Sequence, residues 1–410
     1  MFGYGISKYD LKTINRMQVM RTIWECGPIS RSDIAGELGI TRAAITVITN
    51  EMLKEGLVKE IGKKTSEKQE TAQKGRRKIL LELNADSCFI IGIYIDRHNL
   101  SVGMTTLKGD VLEKNNVSIE PDISYEKMIG TVETAVRTIL QNSCLSTRQV
   151  IGVGIGLMPD VPDFIRKGAE ENSRYYYNIQ NELSAHWDIP IYVGNALSQF
   201  AIVGSSKREY SGLSRINAQL YSDDEKFYLS FVVKKPRMRE QYYTTTGLNF
   251  MCINKSGCKE DGYPIGSVKA ELTSKAIGRK VSGIYSKEAT PALYRLTEGE
   301  CTAVTLSQIR EALKEGDELL RPLCEELFEE MCIFLNNVIS VVGADRMIFY
   351  KCGITEELIG ELIEYGRDKY SKLQETEFTL SDINDEQRFM CGCGYAVFMG
   401  VFGLNDKIQS

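Results

Sequence analysis

Along residues 13–26, TINRMQVMRTIWEC, apolar side chains fall at Ile14, Met17, Met20, Ile23 and Trp24, the spacing of one helical stripe. Gly27 and Pro28 break the pattern. Ser30 is placed to cap a second helix, with Asp33 three residues on in the capping-box position. That helix, SRSDIAGEL, stops at Gly39, where a left-handed residue lets the chain turn sharply. Thr41 caps a third helix, TRAAITVITNEMLKEG, ending at Gly56. Helix, glycine turn and helix make a helix-turn-helix. Small Ala35 lets the two helices approach, and Ile34, Leu38, Ile40, Ile45, Ile48 and Leu53 supply a shared core. The period then changes. LVKEI (57–61) and KILLELN (78–84) read as strands around the polar, aromatic-free GKKTSEKQETAQKGRR, a β-hairpin wing.

A second pattern starts at Cys88. CFIIGIYID and NLSVGMTTL read as strands, Lys108-Gly109-Asp110 as a turn, and VLEKNNVSI as a third strand. A helix follows at 124–141. VIGVGIGLMPD (150–160) is a strand running into a glycine-rich turn, and PIYVGNALSQFAIVGSS (190–206) is a strand, Asn195, then a helix. This β-β-β-α-β-α order predicts an α/β body.

A length of 410 residues fits two to three domains, and 43% hydrophobic with 26% charged residues is an ordinary soluble composition. No apolar run is long enough to span a membrane, and MFGYGISKYDLKTINR lacks a signal-peptide pattern, so a cytoplasmic protein without a membrane partner is expected. The eleven cysteines suit buried thiols rather than disulfides. The one close pair, Cys391 and Cys393, has no histidine nearby and is weak grounds for a metal.

The net charge of −5 hides an asymmetry. Residues 1–79 carry 15 Lys and Arg against 9 Asp and Glu, while the rest of the chain is acidic. A basic head suggests a polyanionic partner. The expected interface with double-stranded DNA comprises Ser30, Arg31, Thr41, Arg42, Ala43 and Thr46 at the helix-turn-helix, with Lys63, Lys64, Arg76 and Arg77 on the wing. A helical dimerisation module would not need the basic wing.

The chain resembles the ROK family (repressors, open reading frames and sugar kinases), within the actin-like ATPase fold. The resemblance rests on GRR closing the wing (75–77), IIGIYIDRHNLSVGMTTLKGDVL (90–112), GVGIGLMPDV (152–161), VGNA (193–196), TSKAI (273–277) and RMIFYKCGI (346–354), in that order. It implies an α/β fold with an N-terminal winged helix-turn-helix (1–84) and a two-lobed, sugar-kinase-like domain. The small lobe is 85–195, completed by 395–410, and the larger lobe is 196–394.

Departures from the family pattern bear on activity. The family's D-x-G-G-T phosphate loop falls on Tyr94, with Asp96-Arg97-His98 in place of Gly-Gly-Thr. The second phosphate loop is replaced by NAQLYSDDEKFYLSFV (217–232), without glycine. Asn195 is kept from the N-D motif, but Ala196 stands where the catalytic aspartate would be and cannot accept a proton. In the zinc loop Asn249 stands for the histidine, and CKEDGYPIGSVK offers a single thiol, Cys258, so no zinc is expected. No catalytic residue, ATP site or metal is therefore expected.

The resemblance and the aromatic run Tyr175-Tyr176-Tyr177-Asn178 give a candidate sugar or sugar-phosphate effector site of Pro159, Tyr177, Asn178, Asn195, Asn249 and Glu271. Packing at a lobe interface is the rival explanation of the aromatics. His98 and His186 read as a solvated turn residue and a half-packed helix-end residue. The expected function is a transcriptional regulator, in the sense of a repressor, switched through the interlobe cleft and acting as a homodimer or dimer of dimers. An alternative keeps DNA binding and makes the body only a dimerisation or docking scaffold. A sugar kinase would need the phosphate loops and base that are missing.

Overall fold

The computed structural model describes residues 8–61, 78–84, 88–120, 123–145, 149–159, 161, 174–205, 216–233, 241–245, 247–381 and 387–401. Among them no helix is long and apolar enough to cross a membrane. The chain divides into two units, Met1–Gln199 with Asn384–Ser410, and Phe200–Ile383.

In the first unit, helix α1 (Lys8–Cys26) leads to a short strand β1 (Ile29–Ser30), then α2 (Arg31–Leu38) and α3 (Arg42–Lys54). The caps are those the sequence announces: Ser30 Oγ accepts from Asp33 N–H, and Thr41 Oγ1 from Ala44 N–H. Gly39 ends α2 at φ 66°, left-handed as expected. Strands β2 (Val58–Ile61) and β3 (Leu80–Leu83) pair antiparallel. β1 adds a third strand on the far side of β3, with Ile29 opposite Leu81. Two residues are too few to show alternation, so the pattern gives no warning of it. Val19, Met20, Ile23, Ile34, Ile45, Ile48, Met52 and Leu81 form the head's core.

That core does not stop at the head. It continues into Cys88, Ile90, Leu107, Tyr192 and Phe389. The seam also carries a Cys88 Sγ contact to Gly56 O at 3.9 Å and a Lys108–Glu82 ion pair at 3.8 Å.

Strands β4 (Phe89–Ile95), β5 (Asn99–Thr106), β6 (Val111–Ser118), β7 (Val150–Leu157) and β8 (Ile191–Asn195) form one sheet in the order β6-β5-β4-β7-β8. β4, β7 and β8 are parallel, while β4, β5 and β6 form an antiparallel meander. Helices α4 (Tyr125–Asn142) and α5 (Arg174–His186) make the crossovers, and α6 (Ala196–Ser205) follows β8. α4 buries Met128, Val132, Val136 and Ile139 on one stripe.

The second unit has a five-stranded sheet, ordered β11-β10-β9-β12-β13, from β9 (Ile216–Ser222), β10 (Phe227–Val233), β11 (Gln241–Thr245), β12 (Arg346–Tyr350) and β13 (Glu377–Leu380). β9, β10 and β11 are antiparallel, and β12 runs parallel to both β9 and β13. Its helices are α7 (Val268–Glu271), α8 (Ser274–Val281), α9 (Pro291–Leu296), α10 (Leu306–Lys314), α11 (Arg321–Val342), α12 (Glu356–Gly366) and α13 (Ser371–Glu375). The apolar stripe of α11, including Leu327, Met331, Phe334 and Leu335, lies in this unit's core.

The chain then returns to the first unit as α14 (Met390–Ala396), which continues as a π turn over Val397–Val401. α14 meets β4 and β7 with almost no side chain between. A Cβ at Gly154 would lie 1.9 Å from Gly392 O, and one at Gly92 would lie 2.1 Å from Phe389 O. Cys391 and Cys393 are buried in this contact. Burial pushes the Cys393 thiol up to about 12 and that of Cys391 well above its usual value.

Candidate nucleic-acid interface and effector site

Helix α3 has two faces. Ile45, Ile48, Thr49 and Met52 are buried, while Arg42, Ala43, Thr46, Val47, Asn50 and Lys54 are exposed. The exposed set recurs every three to four residues and so forms one stripe, the geometry a recognition helix presents to a groove. Four expected residues are on or beside it: Thr41 at the cap, then Arg42, Ala43 and Thr46. The exposed guanidinium of Arg42 makes no hydrogen bond or ion pair among the described residues.

Ser30 and Arg31 behave differently from the expectation. Ser30 is buried, and its Oγ is held by Asp33 and Ser32. The guanidinium of Arg31 points back across the head: Nε donates to Thr49 Oγ1 at 3.0 Å and Nη2 pairs with Glu60 at 2.8 Å. Arg31 therefore fastens α2 to α3 and β2. Lys63, Lys64, Arg76 and Arg77 lie outside the described residues. Val47, Asn50 and Lys54 were missed. Extending the 42, 43, 46 stripe by one turn reaches Val47 and Asn50, and a further turn reaches Lys54, but a valine in a helix reads by type as core.

In the same unit the parallel strands end together: Ile95 is opposite Leu157, and Leu157 opposite Asn195. The carboxyl edge of a parallel sheet is where α/β folds place ligands. Pro159, two residues past β7, is buried there, and Asn195 ends β8. Asn195 Oδ1 accepts from Leu197 N–H at 2.9 Å and so starts α6. Helix α5 precedes β8 and carries Tyr177 and Asn178, both exposed, near its start.

The turn after β4 at the same edge is filled by its own side chain. Asp96 Oδ1 accepts from His98 N–H at 2.9 Å and Asn99 N–H at 2.7 Å, and Oδ2 pairs with Arg388 at 2.9 Å. Glycines that would let backbone N–H groups approach a phosphate are replaced by a closed carboxylate turn.

In the second unit, Asn249 is buried and clasps one residue of β10. Its Oδ1 accepts from Phe227 N–H at 2.9 Å and its Nδ2 donates to Phe227 O at 2.7 Å. Glu271 is fully buried, accepts from Cys258 N–H and pairs with Lys280 at 2.6 Å. Lys280 also pairs with Glu330 at 3.0 Å and with Glu326 at 2.9 Å. Burial works against the Lys280 charge, but the hydrogen bond to Glu271 and the neighbouring carboxylates outweigh it and hold the ammonium above its usual range. Burial pushes the Glu330 carboxyl up in spite of Lys280 and Asn254. The three carboxylates are close enough together to hold a cation, and the ammonium of Lys280 pairs with each of them. The β9–β10 turn is acidic: Asp223 Oδ1 accepts from Glu225 N–H and Lys226 N–H at 2.8 and 2.6 Å.

Head and sheet order together give a winged helix-turn-helix joined to a sugar-kinase-like α/β fold, similar to that of ROK family transcriptional regulators. A MarR family model matches residues 12–65. The xylose repressor of Caldicellulosiruptor bescii is 23% identical over 373 residues, 86% of this chain and of that one. The transcriptional dual regulator NagC of Escherichia coli is 26% identical over 159 residues, 38% of this chain and 37% of that one. A putative xylose repressor of another Caldicellulosiruptor strain is matched over about half its length, 51%. A solved ROK family transcriptional regulator, a homolog of the E. coli MLC protein, superimposes with TM-score 0.69 at 18% identity over 96% of this chain and 97% of that one. The ROK hexokinase of Thermus thermophilus gives 0.55 at 13% identity over 76% and 99%. The winged head and the α/β body expected from the sequence are both present.

Proposed function

We propose that the chain represses transcription from the cytoplasm by binding double-stranded DNA as a homodimer through α3 and the wing, and that its kinase-like body senses a sugar or sugar phosphate without phosphorylating it. The observation that carries the DNA reading is the exposed α3 stripe, with Arg42 at its start and a buried opposite face. Support for a non-catalytic body comes from two turns. Asp96 closes the turn after β4, and in the glycine-free β9–β10 turn Asp223 Oδ1 takes up the Glu225 and Lys226 N–H groups that a phosphate would otherwise meet. Neither zinc nor ATP has a role in this reading. A sugar effector is supported by the names of the relatives, and Pro159 and Asn195, at the carboxyl ends of β7 and β8, with the exposed Tyr177 and Asn178 of α5, are the residues proposed to receive it.

The scaffold alternative is favoured by a specific observation: the amide of Asn249 and the carboxylate of Glu271 are committed to Phe227, Lys280 and Cys258. The two readings separate in one experiment. Full-length protein is bound to a selected duplex and titrated with pentoses, hexoses, amino sugars, their phosphates and ATP. Release by a sugar or sugar phosphate, with ATP silent and unhydrolysed, supports the sensor. Silence across the panel supports the scaffold, and phosphoryl transfer to any sugar would sink both.

A further inference from the structure

Val47 is 56% exposed at the centre of the α3 stripe. A β-branched apolar side chain gains nothing from water there, and the core behind it is filled by Ile45, Ile48 and Met52 without it. Its neighbours share the character. Ala43 offers only a methyl group. Thr46 commits its hydroxyl to Arg42 O at 2.8 Å, which leaves its methyl as the part with no hydrogen-bonding task. Behind Arg42, the first two turns of α3 thus present methyl groups where a reader of guanine or adenine would present long polar side chains. In the major groove one base edge is apolar: the 5-methyl of thymine.

We propose that Val47 is a specificity-determining residue that packs on a thymine 5-methyl group, flanked by Ala43 and Thr46, so that each half-site is fixed by an apolar contact. This rests on the DNA-binding reading above and adds the chemistry of the base that is read. Arg42 and the wing supply charge attraction that any sequence satisfies, while Val47 discriminates.

The test uses duplexes selected by the full-length protein from a randomised pool. Each thymine of a half-site is replaced singly by deoxyuridine, which removes the methyl and leaves base pairing intact. At one position uracil weakens wild-type binding about fourfold, the ratio expected for one methyl-sized group removed from water. Val47→Ala binds the thymine and uracil duplexes equally at that position, and Val47→Thr, which keeps one methyl, retains part of the preference. Both variants melt with the wild type because the side chain is exposed. Wild-type binding indifferent to every uracil substitution overturns the proposal, as does a Val47→Ala variant that keeps the full penalty. If no duplex is enriched, the DNA-binding reading itself fails and takes this assignment with it.

Discussion

Arg388 Nη1 lies 2.9 Å from Asp96 Oδ2 with both side chains buried. Arg388, two residues before α14, thereby locks the turn where a kinase would hold phosphate. Arg388→Met leaves Asp96 buried without a counter-ion, and a loss of about 3–5 kcal/mol is expected. Equilibrium urea unfolding checks it. Arg388→Met with Asp96→Asn should lose less than the sum of the two single changes. A loss below about 1 kcal/mol, the range of a solvated surface pair, would show that the pair does not hold the turn.

Arg42 is exposed and makes no ion pair among the described residues, so Arg42→Ala should leave the melting temperature unchanged. DNA affinity should fall for all sequences alike, and the log-log salt slope should become shallower by about 1. Fluorescence anisotropy between low and physiological salt measures both. An unchanged slope would remove Arg42 from the interface.

Lys280 is the shared counter-ion of Glu271, Glu326 and Glu330. Its pKa is raised on folding, so its stabilisation is fully present below the unfolded lysine value of about 10.4 and is lost as pH rises through the folded value. Glu330 is also raised, and a raised carboxylate weakens folding once it ionises. Lys280→Met should therefore lose about 3–5 kcal/mol at pH 8 and regain part of it toward pH 5, where the buried carboxylates take up protons. Denaturant titrations at pH 5, 7 and 8 test the sign. A deficit that does not shrink on acidification would refute it.

Gly154 faces Gly392 across the β7–α14 contact, and a Cβ at Gly154 would sit 1.9 Å from the Gly392 carbonyl oxygen. Backbone cannot swing aside as a flexible side chain can. Gly154→Ala should lose at least the upper part of the about 1–3 kcal/mol typical of overpacking. Gly130→Ala, where nothing lies within 4 Å of the new Cβ, is the matched control on a helix and should be neutral or stabilising. Melting temperatures of the two variants decide it.

Every feature of the head governed by near neighbours was legible in the chain. The α1 stripe, the caps at Ser30 and Thr41, the Gly39 turn and the β2 and β3 strands each depend on residues within a turn or two of one another. The same holds for the β-β-β-α order of the body. What sequence spacing could not supply is which side chain meets which across the fold. Arg31 looks like a phosphate ligand until Glu60, 29 residues away, takes it up. Asn249 looks like the remnant of a metal site until it is seen clasping the Phe227 backbone. Asp96 reads only as a departure from the Gly-Gly-Thr of a phosphate loop, yet Arg388, 292 positions later, pairs with it and closes the turn. Val47 has the residue type of a core position, and only packing shows that the core is complete without it. Local pattern set the elements, because caps and periodicity act over single turns. Tertiary structure decided which charges and apolar groups remain for partners, because burial and long-range pairing consume the rest.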